Sequence, residues 1–442
     1  MTVEQIASII MMACMLIMVI GGVHLAFVLV FLAIVFGLIF QGPMIFYLSM
    51  FKIFGVMQSE ILIAVPLFVF MGLLLDKSGV AEKIFQSLYE VFGPVRGGLA
   101  IATIVTCAVF ASCTGVIAAT VATMTLLAVP PMLKRKYNKG LSTGVVCAGG
   151  SLGILIPPSV MLIMYGPMAN LSVAKLFAAA LFPGLLLSAL YIGYIVVLCI
   201  FSKKSAPAIS AEEMTALGPG RFRRAAWNML PALFLVASVL GLIIAGVTTP
   251  TEGAGIGAFA AMILTAINGE LNFKNLKAAA EGTLIVTSMV MFIIIFSGIY
   301  NSVFLFLGGG TLIKGALMAL PFGKWFVLAL MMFILFLGGF FISWQGLLYI
   351  VIPIFLPVVK ELGFDPLWFA ILVCLNLQMS LLTPPFAYSI FFVKGVAPAE
   401  VSTMDIYRGV MPFVGMQALA VGLCIIFPDI ILWLPRVTMG GG

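Results

Sequence analysis

The chain has 442 residues, 63% of them hydrophobic and only 8% charged, with a formal net charge of +7 and a mean hydropathy of +1.27. Soluble domains carry roughly 25% charged residues, so this composition excludes a single water-soluble core and predicts a polytopic, all-α membrane protein. The basic excess follows the pattern of membrane topology and not of nucleic-acid binding. One histidine, His24, leaves no basis for a histidine metal site or a catalytic triad. Seven cysteines (Cys14, Cys107, Cys113, Cys147, Cys199, Cys374 and Cys424) show no CxxC spacing and read as packing residues.

In chain order, apolar runs predict spans over 5–20, 24–41 and 57–76. The first basic residue is Lys52, so no basic region precedes the first run, which reads as a retained helix. "EKIFQSLYEVF" (Glu82 to Phe92) is amphipathic and is expected in the interface plane, as a scaffold arm or a docking surface. The stretch 97–133 is too long for one crossing and too short for two, and Ser112-Cys113-Thr114-Gly115 punctuate its middle. It reads as a re-entrant hairpin of two half-helices. Spans follow at 141–167, 175–201, 225–247, 251–268 and 283–304. A second hairpin covers 324–359, with Ser343-Trp344-Gln345-Gly346 at its tip, before final spans at 367–393 and 409–433. Ten transmembrane helices and two hairpins result.

The two halves are repeats. "GSLGILIPPSV" has a partner in "LQMSLLTPPFA", and an offset of 227 pairs Pro157-Pro158 with Pro384-Pro385. The same offset pairs Pro94 with Pro321, Pro130 with Pro357 and Cys147 with Cys374. Proline is about one residue in twenty, so these coincidences mark homologous halves, 1–201 and 225–442, joined by a linker at 202–224. The linker carries Lys203, Lys204, Arg221, Arg223 and Arg224 and is placed in the cytoplasm as a solvated segment that could also bind anionic lipid. Counting spans from there puts the base of the first hairpin, with Arg96, Lys134, Arg135, Lys136 and Lys139, on the same side, and the base of the second outside. The halves are therefore inverted, a design common in secondary transporters.

Both proline pairs interrupt spans, and broken backbone survives in a bilayer only where it lines a cavity or is buried in protein. Proline suits the first helical turn, so each pair is expected to begin the second half of a broken helix. The hairpins add two more helix starts, near Gly115 and Gly346. Four N-termini, each carrying about half a positive charge, suit an anion such as a carboxylate. Gly115, Ser159, Trp344, Gln345 and Pro384 are the candidate substrate contacts. Carbonyls around Gly153 to Ile156 and Ser380 to Thr383, with the hydroxyls of Ser112, Thr114, Ser343 and Thr383, form an oxygen set suited to Na+. Ionisable side chains are almost absent from span centres, which argues against a proton relay. Glu252, beginning a span, reads either as a helix cap or as a functional contact, and the 27 methionines as packing or lipid-facing residues.

Several stretches together resemble the large membrane subunit of tripartite ATP-independent periplasmic (TRAP) transporters, the DctM-like family. They are "IAVPLFVFMGLLLDKSGVAEKIF" (Ile63 to Phe85), "CAGGSLGILIPPSVMLIMYG" (Cys147 to Gly166), "TTPTEGAGIGA" (Thr248 to Ala258) and "GFDPLWFAILVCLNLQMSLLTPPFAYSIFFVKG" (Gly363 to Gly395). The resemblance implies an elevator-type fold like that of the ion transporter superfamily, Na+ coupling, and a bacterial inner membrane. It implies two partners, a small membrane subunit of about four helices and a soluble periplasmic binding protein, and organic acids as substrates. By position it places one Na+ site at Ser112, Thr114, Gly153, Ile156 and Pro158; the repeat places a second at Gly339, Ser343, Ser380, Thr383 and Pro385. Where the family's first tip often reads S-G-S-S, this chain has Thr114-Gly115-Val116-Ile117, so ligation at Val116 would be by backbone. The second tip has Ser343 where the family often has Asp. Two other readings remain: a self-sufficient anion carrier of the same architecture, and an intramembrane enzyme or redox-complex subunit. The last would need paired acid, base or metal groups that the spans do not offer.

Overall fold

The structure, a computed structural model, describes residues 1–115, 117–202, 205–208, 220–384 and 387–440, the side chains of Ala111, Cys113 and Thr114 excepted. The first half comprises α1 (Val3–Ile20), α2 (Leu25–Gln41), α3 (Met44–Met57), a 3-10 turn (Glu60–Ile63), α4 (Ala64–Lys77) and α5 (Val80–Phe92). A hairpin of α6 (Gly98–Thr114) and α7 (Ile117–Lys134) follows, then α8 (Lys139–Ser151), a 3-10 turn (Leu152–Ile154), α9 (Val160–Ala169) and α10 (Val173–Phe201). The second half contains α11 (Arg221–Ile244), α12 (Pro250–Ile267), α13 (Phe273–Phe306) and α14 (Gly309–Met318). Its hairpin is α15 (Lys324–Gly338) and α16 (Trp344–Glu361), followed by α17 (Pro366–Leu382), α18 (Tyr388–Val396), α19 (Thr403–Ile426) and α20 (Asp429–Met439).

The repeat is visible residue by residue. Adding 227 to Ile117 and Lys134, the ends of α7, gives Trp344 and Glu361, the ends of α16. Helices α6, α8, α9, α10 and α12 find their mates within a few residues in the same way. One pair differs. The predicted span 57–76 is the second part of a longer unit: α3, which the predicted spans omit, meets Glu60–Lys77 at a bend of 59°, whereas their mate α13 is a single helix of 34 residues, about 51 Å long. Pro66 lies in the first turn of α4, where its missing amide is tolerated, and the equivalent position in α13 is Ile293. The last predicted span also divides: α19 ends at Ile426, before Pro428, and α20 starts anew.

Local contacts establish the inversion. The Gly97 N–H donates to Ala206 O at 3.1 Å and the Asn138 N–H donates to Ser205 O at 2.9 Å. Both ends of the first hairpin therefore meet the linker at one face, which makes the hairpin re-entrant. The linker was expected to be solvated throughout; instead Ala206 is buried beneath the hairpin base. Gly97 also lies against Cys199, in the last turn of α10. At the same face Lys139 Nζ donates to Glu400 O at 2.7 Å, just before α19 begins. Thus α10 ends where its repeat mate α19 starts. The second hairpin closes on itself in the same way, Trp325 of α15 stacking edge-on against Phe364 beyond α16 at 5.1 Å. The arms are longer than the expected half-helices: α7 and α16 each have 18 residues, about 27 Å against a core of about 30 Å.

An inner and an outer group of helices follow from burial. Every residue from Gly140 to Ser151 of α8 is buried, and α17 is enclosed almost as fully. Helices apolar all round belong at the centre of such a bundle. The hairpin arms α6 and α7 close on α8 where Gly149 meets Cys107 and Gly150 meets Val121. The outer group, α1 to α4 and α11 to α13, turns large apolar side chains outward, Phe51, Phe234 and Phe273 among them. Its helices α4 and α12 pack where Gly257 admits Met71. Helix α5 bridges the two groups. Its apolar face is buried, and its polar face is tied to the outer group by Arg224–Glu90 at 2.8 Å, Asn228–Ser87 at 2.6 Å and Lys83–Asn268 at 2.6 Å. It also accepts a hydrogen bond at Tyr89 from Arg135, just beyond the end of α7. The amphipathic arm is thereby joined to both groups. Glu252 resolves as a cap: its carboxylate accepts the Thr249 N–H at 2.8 Å while its own N–H donates to Thr249 Oγ1 at 3.2 Å.

The tightest inner contact is between main chains, where Gly140 and Gly144 of α8 cross Gly409 of α19. A Cβ on Gly409 would overlap the Gly140 carbonyl, a backbone atom that cannot rotate away. Gly409→Val is expected to destabilise the protein by about 2 kcal/mol or more, in the range of severe overpacking, with a lower midpoint in a thermal unfolding scan in detergent. Gly241→Ala, on α11 with open space around it, should leave that midpoint unchanged or raise it.

Candidate functional site

Each proline pair disrupts a helix for a definable reason. Pro157 and Pro158 have no N–H, so the carbonyls of Gly153 and Ile154 lose the donors that a continuing helix would supply. Ile154 O recovers one from the Ser159 hydroxyl. Pro384 likewise deprives Ser380 O of its helical donor. The prolines were expected inside the first turn of the second half-helix. The structure starts α9 at Val160 and α18 at Tyr388, because a residue before proline is held out of the helical region. At the first interruption Ser159 is extended at φ −130°, ψ 130°. Thr383 is extended at φ −103°, ψ 136°, and Ala387 takes a positive φ of 27°.

Each hairpin tip covers one interruption. Gly115, at φ +59°, closes the first tip beside the Pro158 carbonyl. Gly339, ending α15, abuts Ser380 so closely that a Cβ there would collide with its Cβ and Oγ. One cavity of roughly 200 Å³ touches both tips and both interruptions, with Gly115, Ile154, Trp344, Gln345, Leu381 and Tyr388 in its wall. Its lining contains repeat mates facing one another: Ile117 with Trp344, Ala118 with Gln345, and Ile154 with Leu381. The pseudo-two-fold axis thus passes through this cavity. Val69 of α4 and Val286, Met289 and Val290 of α13 complete it from the outer group.

Of the sequence candidates, Gly115, Trp344 and Gln345 line the cavity. Gly339 meets Ser380 directly, and Ser159 and Ile156 are buried at the first interruption. The hydroxyls of Ser112, Ser380 and Thr383 donate to Val109 O at 2.7 Å, Leu377 O at 2.7 Å and Met379 O at 3.0 Å. Each donates inward along its own helix and keeps oxygen lone pairs to offer elsewhere. Ser343 caps α16 with no side-chain hydrogen bond to its first turn. The Thr114 side chain, Val116 and Pro385 fall outside what is described. Sequence reasoning missed Tyr388 and Phe392 of α18, which line the cavity, and two amides in α17. Asn376 Nδ2 donates to Met332 O at 2.6 Å, while Gln378, fully buried near the interruption, has both amide atoms unpaired. Two carboxamides in an apolar span are the signal that marks them.

Comparison with known proteins agrees with this architecture. The profile described as "Tripartite ATP-independent periplasmic transporter, DctM component" matches residues 8–430. The chain belongs to this family. It is 30% identical over 401 residues to the C4-dicarboxylate TRAP transporter large permease protein DctM of Vibrio cholerae, covering 86% of each chain. It is 28% identical to the sialic acid TRAP transporter large permease protein SiaM of the same organism, covering 96% of this chain and 97% of that one. Among solved structures, the YdaH transporter of Alcanivorax borkumensis superposes with a TM-score of 0.66 at 14% identity over 96% of this chain and 99% of that one, a likeness of fold. The chain is accordingly a TRAP large permease, a multi-pass transport protein and not an enzyme.

The Gly339–Ser380 contact gives a test of the second tip. Gly339→Ala is expected to lower the thermal midpoint in detergent. Ser380→Gly in the same chain removes both colliding atoms and should return most of the loss. A double variant no more stable than Gly339→Ala would exclude this seating of the tip.

Proposed function

We propose that this permease carries a small organic anion, a carboxylate foremost, across the bacterial inner membrane in symport with Na+. It acts as the large subunit beside a small four-helix membrane subunit and a periplasmic binding protein that delivers the substrate. The single observation that supports this most is the cavity whose walls are both hairpin tips and both helix interruptions. Helices α7, α9, α16 and α18 begin around it, and their first amides have no intrahelical acceptor. Each start contributes a fraction of a positive charge, in a setting of low dielectric where such charges count for more than in water. The relatives named for C4-dicarboxylates and sialic acid are consistent with such a cargo.

Sodium is read as a co-transported substrate. The first interruption offers Gly153, Ile156 and Pro158 carbonyls near Ser112 and Thr114. The second offers Ser380 and Thr383, with Gly339, Ser343 and Pro385 beside them. These are neutral oxygens, the donor type a hard cation takes. Occupancy by Na+ would fix each tip against its interruption and add positive charge beside the cavity. Anion affinity then rises, and by linkage the anion raises Na+ affinity by the same factor. Trp344 and Gln345 on one wall face Ile117 and Ala118 on the other, so the polar contact to cargo comes from the second half. Because the inner group meets the outer across this cavity, movement of the inner group as a unit would carry the cargo between faces, an elevator motion.

The test is uptake into proteoliposomes holding the permease, its small subunit and a cognate binding protein. Accumulation is expected to require an inward Na+ gradient, and undiminished uptake without one would overturn the coupling. Full activity of this chain alone would overturn the three-component reading in favour of a self-sufficient carrier. Gln345→Ala is expected to raise KM about tenfold, equivalent to about 1.4 kcal/mol, with Na+ dependence intact.

A further inference from the structure

A second cavity, of roughly 360 Å³, opens between the two groups on the side of the second hairpin's base. Helix α16 runs from its tip at Trp344 to that base at Glu361, and Tyr349 and Pro353 of α16 stand in the wall. Apart from α3, the α-helices that bound it also bound the central cavity. Along α13, Val290 lines the first, Asn301 the second, about 16 Å apart along the helix, with Ile294 and Gly298 between them in the same wall. Helix α9 contributes Val160 to the first and Pro167 to the second. The segment around α4 contributes Val69 to one and Leu62 to the other. The two spaces are thus successive stretches of one seam between the inner and outer groups.

The polar groups of this outer cavity are specific to it. Lys52 of α3 is its one charged lining residue, and no ion pair among the described residues involves it. Asn301 is 7% exposed; its Nδ2 donates to Tyr349 O at 2.5 Å, and its Oδ1 has no partner. The Ser302 hydroxyl donates to Gly298 O at 2.9 Å, which leaves its oxygen to accept. The repeat mates of Lys52, Asn301 and Ser302 are Ala279, Leu74 and Leu75, all buried and apolar. Packing at these positions is therefore satisfied by alanine and leucine, and the polar set belongs to one face of the membrane only.

We propose that this cavity is an entry vestibule that takes an organic anion bearing a hydrogen-bond donor before it reaches the central site. A carboxylate pairs with the Lys52 ammonium, and a hydroxyl or amide N–H of the same molecule donates to Asn301 Oδ1. The cation raises the local concentration of anions at the mouth of the seam. The buried acceptor rejects acids without a donor, because its hydrogen bond would go unmade. The proposal rests on the reading of the central cavity as an anion site, but its first test does not need transport.

In membrane vesicles exposing this face, a thiol placed by Ser302→Cys should react about tenfold faster with an anionic methanethiosulfonate than with a cationic one of similar size. Lys52→Gln should abolish that preference, and Lys52→Glu should reverse it, with the parent chain as the blank. Equal rates for the two reagents with Lys52 present, or a preference that survives Lys52→Gln, would overturn the vestibule. A hydroxy acid should slow the labelling and its deoxy analogue should not; equal protection by both, or protection by anionic lipid alone, would overturn the assignment to Asn301. In the complete reconstituted transporter, Lys52→Gln should raise KM severalfold at constant maximal rate and Lys52→Arg should restore it, whereas an unchanged KM counts against the proposal. Charge-selective labelling in a preparation that takes up no organic acid would instead locate the fault in the reading of the central site.

Discussion

An unpaired peptide group in hydrocarbon costs several kcal/mol, and the protein is organised around two places where proline makes such groups unavoidable. Everything near those places screens them from lipid. Helices α8 and α17, which carry the interruptions, are the most enclosed in the molecule, and each is capped by a hairpin tip that has only to reach the interruption. The same enclosure that keeps lipid out leaves a pocket lined chiefly by apolar side chains, with helix starts around it.

The inverted repeat lets a single sequence solution serve both faces of the membrane, but its two copies are not equivalent in detail. At the pseudo-axis, Ile117 and Ala118 stand opposite Trp344 and Gln345. The backbone frame is shared while the side chains at these mated positions differ in polarity. The outer group diverges in a different way, a kink at Gln58–Ser59 answering a straight α13. Symmetry is kept where helices interrupt each other and relaxed where they meet lipid.

The sequence made the interruptions legible because proline has a backbone consequence independent of context, and a fixed offset between two proline pairs turns it into topology. The hairpins were legible for a similar reason: Gly115 and Ser343 stand between apolar runs whose length fits neither one crossing nor two. Less could be read of the walls. Tyr388 was hidden among aromatic residues that look like any lipid-facing turn, and Val69 and Val290 reach the cavity only through tertiary packing. The amides of Asn376 and Gln378 were visible as polar letters in an apolar span yet outweighed by the prolines beside them. The burial of Ala206 was not foreseeable, since the basic residues around it describe a solvated linker and only the fold supplies a surface to bury it.

The anchoring of Ser205 and Ala206 beneath the first hairpin has a mechanical corollary. One end of the connection between the halves is hydrogen-bonded to the inner helices, whereas the other, at Gly220, leads into the outer ones. Fourteen peptide steps separate Ala206 from Gly220, a contour of about 50 Å when drawn out, which exceeds the thickness of the bilayer core. A chain of that length is long enough that covalent connectivity alone does not fix the distance between the inner helices and the outer ones.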